Sequence, residues 1–247
     1  MFDKTIEFSA HEDYFVIQED YPSPIKLNIP EWYKKLEHSV ENKTIKGCMP
    51  FLDTLTSGYL LKLPQDFYVR HNVENEKIKD CFHKVGLENY NVKINESFIN
   101  LNSTNADYHS PNQLRGSELV QKNKNLPFHK ILNPWKIKTP KGYSCLFVPP
   151  LNNSDDRFSI IPGIVDTDTF PLIINFPIVI NGDKYPILET IIKKGTPYVQ
   201  IIPFKRDSWK MTLKPRKKKE IKNNLFFYGL NLLNVYKNRY WNKKSWK

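Results

Sequence analysis

The chain has 247 residues, of which 40% are hydrophobic and 26% charged, with a formal net charge of +11. These values fit a globular protein of one large or two small domains, and they exclude a disordered chain or a coiled coil. No apolar run approaches the roughly 18–20 residues that span a bilayer, so we predict no membrane contact. The N-terminus lacks an uninterrupted apolar core and is not a secretory signal. Three cysteines in no metal-ligand spacing favour a reducing, cytoplasmic location.

The N-terminal quarter predicts short elements separated by prolines. Residues 1–30 hold β-like runs that prolines interrupt. The stretch PEWYKKLEHS predicts a short helix with Pro30 in its first turn and Trp32 facing inward. The next stretch, CMPFLDTLTSGYLLKL, predicts a turn or short helix that ends at Gly58, followed by a strand that runs into DFYVRHNV.

Residues 74–127 are polar and rich in asparagine, and they predict irregular structure. Weak strands are expected near 80–86 and 96–102, and SELVQKN adds one helical turn. The Cys81-x-His83 pair could suggest a metal ligand set. Because no second Cys/His pair accompanies it, we predict that no metal is bound.

A polar cluster in ADYHSPNQLRG is the one candidate ligand site in this part of the chain. It consists of Tyr108, His109 and Gln113, beside Arg115. Side chains that bind ligands concentrate on loops, which favours a binding loop. A plain surface loop explains the same residues, and both interpretations stay open.

From Phe128 onward the pattern is that of a β-protein. Six apolar, β-branched and aromatic runs follow one another at roughly ten-residue spacing, and each is closed by Pro, Gly, Asn or Asp. This predicts an antiparallel barrel or sandwich. Prolines fall within several runs, at Pro134, Pro162, Pro177 and Pro203, and predict edge strands, bends or bulges there.

The C-terminal residues carry the whole positive surplus. Residues 205–247 contain 14 basic and two acidic residues, whereas residues 1–204 are nearly neutral. Residues 217–240 have helical periodicity, with an apolar stripe of Leu225, Tyr228, Leu232 and Tyr236. We expect this basic amphipathic helix to dock on the body, while the sequence from Lys214 to Lys219 and the WNKKSWK end stay exposed.

The exposed basic residues predict contact with an anion. Asymmetric positive charge interleaved with aromatic residues suits weak, sequence-independent contact with nucleic acid, and an acidic protein surface or a merely solvated tail would also explain it. The candidate anion-binding residues are Lys214, Arg216, Lys217, Lys218, Lys219, Lys243 and Lys244.

Two motifs within residues 160–205 resemble the dUTPase and dCTP deaminase family, which has a β-clip fold. A strand in that family ends in G-x-x-D-x-D-x, here GIVDTDTF from Gly163, and a later strand opens with K-x-G-x-x-x-x-Q, here KKGTPYVQ from Lys193. The resemblance implies a β-clip-like core. Gly163 and Gly195 would each turn the chain, Asp166 would orient the attacking water, and Asp168 would help bind the substrate.

The chain departs from the dUTPase pattern at three places. The aromatic residue that should follow Asp168 directly is one position late, at Phe170. The Arg-Ser-Gly phosphate loop is replaced by VPPLNNSDDR, and the glycine-rich C-terminal arm is replaced by KPRKKKEIKNN. Asp166 and Asp168 could therefore serve as ligands for a sugar or a divalent metal, or as caps that accept hydrogen bonds from backbone amides.

A closer resemblance is to a family of uncharacterised bacterial and phage proteins, including those of marine tailed phages. Their shared pattern of T-x-x-G-Y, G-x-V-D/E-T-D and K-G-x-P fits TPKGYSCLFV, GIVDTDTF and KKGTPYVQ. Longer members also resemble this chain in PEWYKKL, in CMPFLDTLTSGY and in the basic aromatic C-terminus. The resemblance implies a phage or phage-derived origin.

These observations predict three regions: an irregular α+β part packed on the body at 1–127, a β-clip-like core at 128–206, and a basic helix and tail at 207–247. The leading hypothesis is a non-enzymatic virion or accessory protein, without a cofactor, that binds a protein partner or a second copy through its β-body. The rival is a nucleotide- or small-molecule-binding enzyme relic that uses Asp166 and Asp168, with Mg²⁺ accompanying a nucleotide.

Overall fold

The chain folds mainly into β-strands, as the sequence predicts. The structure is a computed structural model that describes residues 4–12, 21–74, 77–85, 91–94, 97–100, 106–216 and 235–247. Most of the predicted helix at 217–240, including Leu225, Tyr228 and Leu232, lies outside these residues.

The described strands are mostly short, and β4, β5 and β16 are the longest, with eight or nine residues. They are β1 (Glu7–Ser9), β2 (Ser23–Pro24), β3 (Tyr59–Lys62), β4 (Phe67–Glu74), β5 (Lys77–Val85), β6 (Asn91–Ile94), β7 (Ser97–Asn100), β8 (Ala106–His109), β9 (Phe128–Ile131), β10 (Lys136–Lys138), β11 (Tyr143–Val148), β12 (Phe158–Ile160), β13 (Gly163–Val165), β14 (Phe176–Ile180), β15 (Ile187–Ile192) and β16 (Pro197–Lys205).

The described helices are all short. The α-helices are α1 (Glu31–Lys35), α2 (Met49–Thr56), α3 (Glu118–Lys122) and α4 (Val235–Arg239), and the 3₁₀ turns are Ile25–Asn28, Ile45–Gly47 and Pro111–Leu114. Helix α1 begins after Pro30, as predicted. Trp32 does not face inward, however: it is 49% exposed, and its neighbour Tyr33 is the buried residue. In so short a helix the apolar pattern does not determine which of two adjacent aromatic residues is buried.

The strands form antiparallel sheets, the largest of which has the order β13-β11-β16-β3-β2. A four-stranded sheet has the order β12-β14-β9-β8, and a three-stranded sheet has the order β15-β4-β5. The strands β1 and β10 form a two-stranded ribbon, as do β6 and β7. Strands β3 and β4 come from the N-terminal part and pair with β16 and β15, so pairing crosses the predicted boundary at residue 127.

Two of the prolines lie in central strands, so the edge alternative of the prediction does not hold for these strands. Pro203 lies in β16, between β11 and β3, and Pro177 lies in β14, between β12 and β9. Pro203 is tolerated because the ladder between β16 and β3 ends at Ile201, so its missing N–H removes no ladder hydrogen bond on that side. At Pro177 the neighbouring segment continues past β12, and the Ile161 amide donates to the Pro177 carbonyl at 2.9 Å.

One hydrophobic core joins the three larger sheets. It contains Leu61 of β3, Val69 of β4, Ile131 of β9, Phe147 of β11 and Ile178 of β14, each at most 3% exposed. Burial follows the two-residue period of a strand from Cys145 to Val148 of β11, whereas β14 buries the three successive residues Ile178–Ile180.

Gly58 places α2 and β3 directly against the central strand of the largest sheet. Its φ is +85°, and a Cβ atom at this position would lie 2.0 Å from the carbonyl oxygen of Ile201 in β16. The Gly58 carbonyl oxygen in turn accepts a hydrogen bond from the Ile25 amide. Gly58, the residue at which the helix was predicted to end, is thus also a point of close approach between two backbone segments.

In residues 241–247 the two tryptophans pack on the body, which was not predicted, whereas the other five residues are exposed as predicted. Trp241 Nε1 donates to Asp53 of α2 at 3.1 Å, and Lys244 Nζ lies 2.6 Å from the same carboxylate. The Trp246 ring makes an edge contact with Tyr59 at 6.0 Å between centroids. The prediction treated the two tryptophans as surface residues because the residues around them are basic.

Candidate functional site

The predicted acidic pair lies where three segments of the largest sheet meet. Asp166 and Asp168 follow β13, Ser144 lies in β11, and Arg206 follows β16 directly. Because β11 pairs with β13 on one side and β16 on the other, all four side chains come together. We call these four residues the Asp–Arg cluster.

Asp168 is the buried anion of the Asp–Arg cluster, with a side chain 3% exposed. Arg206 donates to both of its oxygens, from Nη1 to Oδ1 at 2.7 Å and from Nη2 to Oδ2 at 2.5 Å. The Gly142 amide also donates to Oδ2, at 2.8 Å. The hydrogen bonds from Arg206, followed by the one from the Gly142 amide, lower the pKa of Asp168 to about 2.

Asp166 is the exposed member of the pair, with 60% of its side chain accessible. Its Oδ1 accepts a hydrogen bond from Ser144 Oγ at 2.6 Å and lies 3.2 Å from Arg206 Nη1. The same Nη1 lies 3.2 Å from Ser144 Oγ. One guanidinium group therefore contacts both carboxylates, and the three charges together leave a net charge of −1.

Beneath the Asp–Arg cluster lies a small buried polar group. Thr167 and Thr139 are 1% and 5% exposed, and their hydroxyl oxygens are 2.7 Å apart. Thr167 Oγ1 also donates to Cys145 Sγ at 3.3 Å. Burial raises the pKa of the Cys145 thiol to about 11, so the thiol is protonated at neutral pH and is a poor nucleophile.

These contacts give the Asp–Arg cluster a structural role. A carboxylate with a pKa of about 2 is too weak a base to take a proton from water near neutral pH. Both oxygens of Asp168 already accept hydrogen bonds, so a divalent ion would have to displace Arg206 or Gly142. Within the described ranges, no group of three or more His, Cys, Asp or Glu side chains is placed to hold a metal ion.

The glycines of the two motifs have different roles. Gly195 has a φ of +81° and turns the chain before β16, as predicted. Gly163 instead lies in β13, opposite Phe147, without a positive φ. The tight turn beside the acidic pair is made by Gly142, whose φ is +84°. The sequence pattern predicted the turn at Gly163 because this residue belongs to the motif. The turn instead lies at Gly142, directly before the neighbouring strand β11.

The predicted polar cluster near residue 110 is assembled only in part. His109 Nδ1 donates to Gln113 Oε1 at 2.7 Å, across the turn that begins at Ser110. Arg115 is exposed and follows directly. Tyr108 lies in β8, and its side chain is outside the described set.

The predicted anion-binding residues fall into three groups. Lys214 and Arg216 are exposed in an extended segment, and Lys243 is exposed near the C-terminus. Lys244 is bound to Asp53, so it is not a free cation. The remaining three, Lys217, Lys218 and Lys219, lie outside the described residues.

Arg206 and Ser144 were not predicted as site residues. Arg206 directly follows the apolar strand β16, and nothing in its sequence neighbourhood relates it to residues 166 and 168. The β-strand pattern of YSCLFV and PYVQIIPFK gave the only usable signal, since antiparallel pairing of these strands places Ser144 opposite Phe204, two positions before Arg206.

Comparison with known proteins gives no assignment. The sequence matches no family model and no curated protein. In the described part of the chain, no helix has the length and apolar character needed to cross a membrane.

Proposed function

We propose that this chain is a non-enzymatic protein that assembles with a second copy of itself through its β-body. The observation that carries the proposal is the exposed apolar segment that follows the Asp–Arg cluster. We call residues 206–216 the arm.

The arm is extended, and no strand partner is assigned to it among the described residues. Trp209, Met211 and Leu213 are 91%, 82% and 87% exposed. They alternate with polar residues, so an extended backbone places all three on one side. Three large apolar side chains in a row on a surface are typical of an interaction site.

Burying these side chains would release enough free energy to hold two chains together. Full burial of a large apolar side chain contributes about 1.5–3 kcal/mol. A reciprocal exchange of two arms would bury on the order of 1,500 Å² in total, within the range of about 1,200–2,000 Å² for specific interfaces.

A receiving surface lies close to the root of the arm. Strand β13 is the outermost strand of the five-stranded sheet, and the surface on and after it exposes Ile164, Leu172 and Ile173 at 63%, 64% and 46%. The ion pair between Asp168 and Arg206 ties this region to the arm. The arm and the receiving surface lie side by side on one chain. Two copies related by a twofold axis would each place an arm on the other's receiving surface, which gives a closed dimer.

The proposed fold and biological setting rest on the sequence motifs. Residues 128–206 are proposed to be a β-clip-like core. In support of this, Gly195 precedes β16, and Gln200 of the same motif is fully buried and donates to the Thr54 and Ser57 carbonyls. The resemblance to bacterial and tailed-phage proteins supports a virion or accessory protein in the host cytoplasm. Mass spectrometry of purified virions tests that setting.

Sedimentation velocity of the full chain tests the assembly. We expect the wild type to form a dimer at micromolar concentration and the variant Trp209→Ser/Met211→Ser/Leu213→Ser to be a monomer with an unchanged circular dichroism spectrum. The matched control Lys210→Ser/Thr212→Ser/Lys214→Ser changes the other side of the arm and should still dimerise. A wild type that stays monomeric at high concentration contradicts the proposal, as does a triple apolar variant that dimerises normally.

A further inference from the structure

We propose that a cleft between α1 and α4 binds phosphate groups. The cleft has a volume of about 680 Å³ and is lined by residues of two segments that lie about 200 positions apart, the loop after α1 and helix α4. We call it the basic cleft. This volume is within the range of about 300–1,000 Å³ found for ligand pockets.

The charge of the basic cleft is strongly positive. Four lysines line it: Lys34, Lys35, Lys46 and Lys237. Glu37 is the acidic residue among the lining residues. Residues 1–204 as a whole are nearly neutral, so the convergence of these cations is not the background composition of the body.

Among the described residues, one of the four cations has a carboxylate partner, and a second donates to a carbonyl oxygen. Lys34 pairs with Glu31 at 2.6 Å, and Lys46 Nζ donates to the Lys34 carbonyl oxygen at 2.8 Å. Lys35 and Lys237, by contrast, have no carboxylate within ion-pair distance in the part of the chain that the structure describes. Lysines that face one another across a cleft without counter-charges repel, and a phosphate group would relieve that repulsion.

His38 adds a hydrogen-bond donor to the basic cleft. Its Nδ1 accepts a hydrogen bond from the Thr44 amide at 3.0 Å, so the ring carries its proton on Nε2. The edge of the ring lies directly over Gly47, where a Cβ atom would be 2.3 Å from Nε2. An N–H donor beside lysine ammonium groups is a combination that phosphate oxygens accept.

The loop that carries these groups is held in one conformation by its own hydrogen bonds. The Asn42 amide donates to Ser39 Oγ at 2.9 Å, and Thr44 Oγ1 donates to the Glu37 carbonyl oxygen at 2.6 Å. The far wall is fixed through α4, because Trp241 and Lys244 bind Asp53 soon after this helix. Pre-ordering of both walls reduces the entropy lost when a ligand binds.

Isothermal titration calorimetry of the full chain with inorganic tripolyphosphate tests the site at about 0.15 M salt, where exposed charges are screened beyond about 8 Å. We expect one molecule to bind per chain. The variant Lys35→Gln/Lys237→Gln should bind at least about tenfold more weakly. The control Lys136→Gln/Lys138→Gln removes the same charge from the exposed face of β10 and should bind within about twofold of the wild type.

A charge-neutral variant separates a shaped site from diffuse attraction. Gly47→Ala displaces the His38 ring and leaves every lysine in place, so we expect affinity for tripolyphosphate to fall several-fold with the melting temperature nearly unchanged. Unchanged affinity in Gly47→Ala would overturn the proposal. So would equal weakening in the β10 control, or no binding of tripolyphosphate or of an oligothymidylate.

The same titrations identify the source of the phosphate. If an oligothymidylate displaces tripolyphosphate and the cleft variant weakens both, the site takes the phosphodiester backbone of a nucleic acid. If tripolyphosphate alone binds, the site takes a free polyphosphate or a phosphorylated small molecule. The arm variant leaves the basic cleft intact, so failure of the assembly proposal would not affect this result.

Discussion

The β-body and the residues that follow it differ in which side chains they expose to solvent, although they meet at Arg206. In the body, the central strand β16 exposes only Lys205 fully, and Arg206 pairs with both carboxylates of the Asp–Arg cluster. Three residues beyond Arg206, Trp209 is 91% exposed. The arm exposes apolar groups, and the basic cleft, which α4 closes, presents cations without partners.

This difference predicts that substitutions in the two regions have different effects. In the body, buried or half-buried charged groups such as Asp168 and Arg206 pair with each other, so substitutions there should change folding. An arm and a cleft with unsatisfied groups contribute little to stability, so substitutions there should change binding. The predictions below test this division, beginning with the largest expected effect.

Gly58→Ala should be the most destabilising single substitution. The left-handed backbone alone would cost about 1–2 kcal/mol with alanine. The contact of 2.0 Å with the Ile201 carbonyl would force β3 away from β16, for a total on the order of 4 kcal/mol. Chemical denaturation monitored by circular dichroism measures the loss.

Gly116→Ala is the matched control, because Gly116 has a φ of +87° with open space around it. We expect it to lose only the backbone contribution of about 1–2 kcal/mol. Equal losses in the two variants would show that the close approach between α2, β3 and β16 does not limit stability.

Asp168→Asn should change how stability depends on pH. The folded pKa of Asp168, about 2, lies below its ordinary value of 3.8. Its ion pair therefore stabilises the fold fully above about pH 4, and this contribution is lost as the pH falls through about 2. The variant should melt lower than the wild type at neutral pH, and the two melting temperatures should converge on acidification.

Asp166→Asn removes the same charge but leaves the bidentate pair with Arg206 in place. Its side chain is 60% exposed, so we expect a melting profile close to that of the wild type throughout. If Asp166→Asn matches Asp168→Asn instead, the exposed carboxylate contributes as much as the buried one to connecting the three strands.

Asp53→Asn should have a small effect on stability and a clear local effect. It weakens the contacts to Trp241 and Lys244, at a cost of about 1 kcal/mol, because the Lys244 side chain is 44% exposed and ion pairs with exposed partners contribute little. Hydrogen exchange should nevertheless rise in residues 241–247, and tripolyphosphate affinity should fall with the displacement of Lys237.

Asp207→Asn is the control for this change, since Asp207 pairs with Lys205 at the root of the arm, far from the C-terminal end in sequence. We expect it to leave hydrogen exchange in residues 241–247 unchanged. Unchanged exchange in Asp53→Asn as well would mean that Tyr59 and Trp246 hold the C-terminal end without Asp53.

The local sequence determined most of the strands. The apolar runs after Phe128 become β9 to β16, Gly58 ends α2, and Gly195 turns the chain before β16. These features depend on short-range properties: a two-residue period, β-branched side chains and glycines at positive φ. Such properties can be predicted from neighbouring residues alone.

Only the tertiary structure decided what the charged and aromatic residues do. The spacing of Asp166 and Asp168 suggested a ligand site. Asp168, however, already accepts hydrogen bonds from Arg206, which follows β16, and from Gly142, which precedes β11. The basic WNKKSWK end suggested an exposed tail, yet Asp53 and Tyr59 bind it. A charge is governed by whichever groups the fold brings within a few ångströms of it, and those partners lie tens to nearly two hundred residues away along the chain.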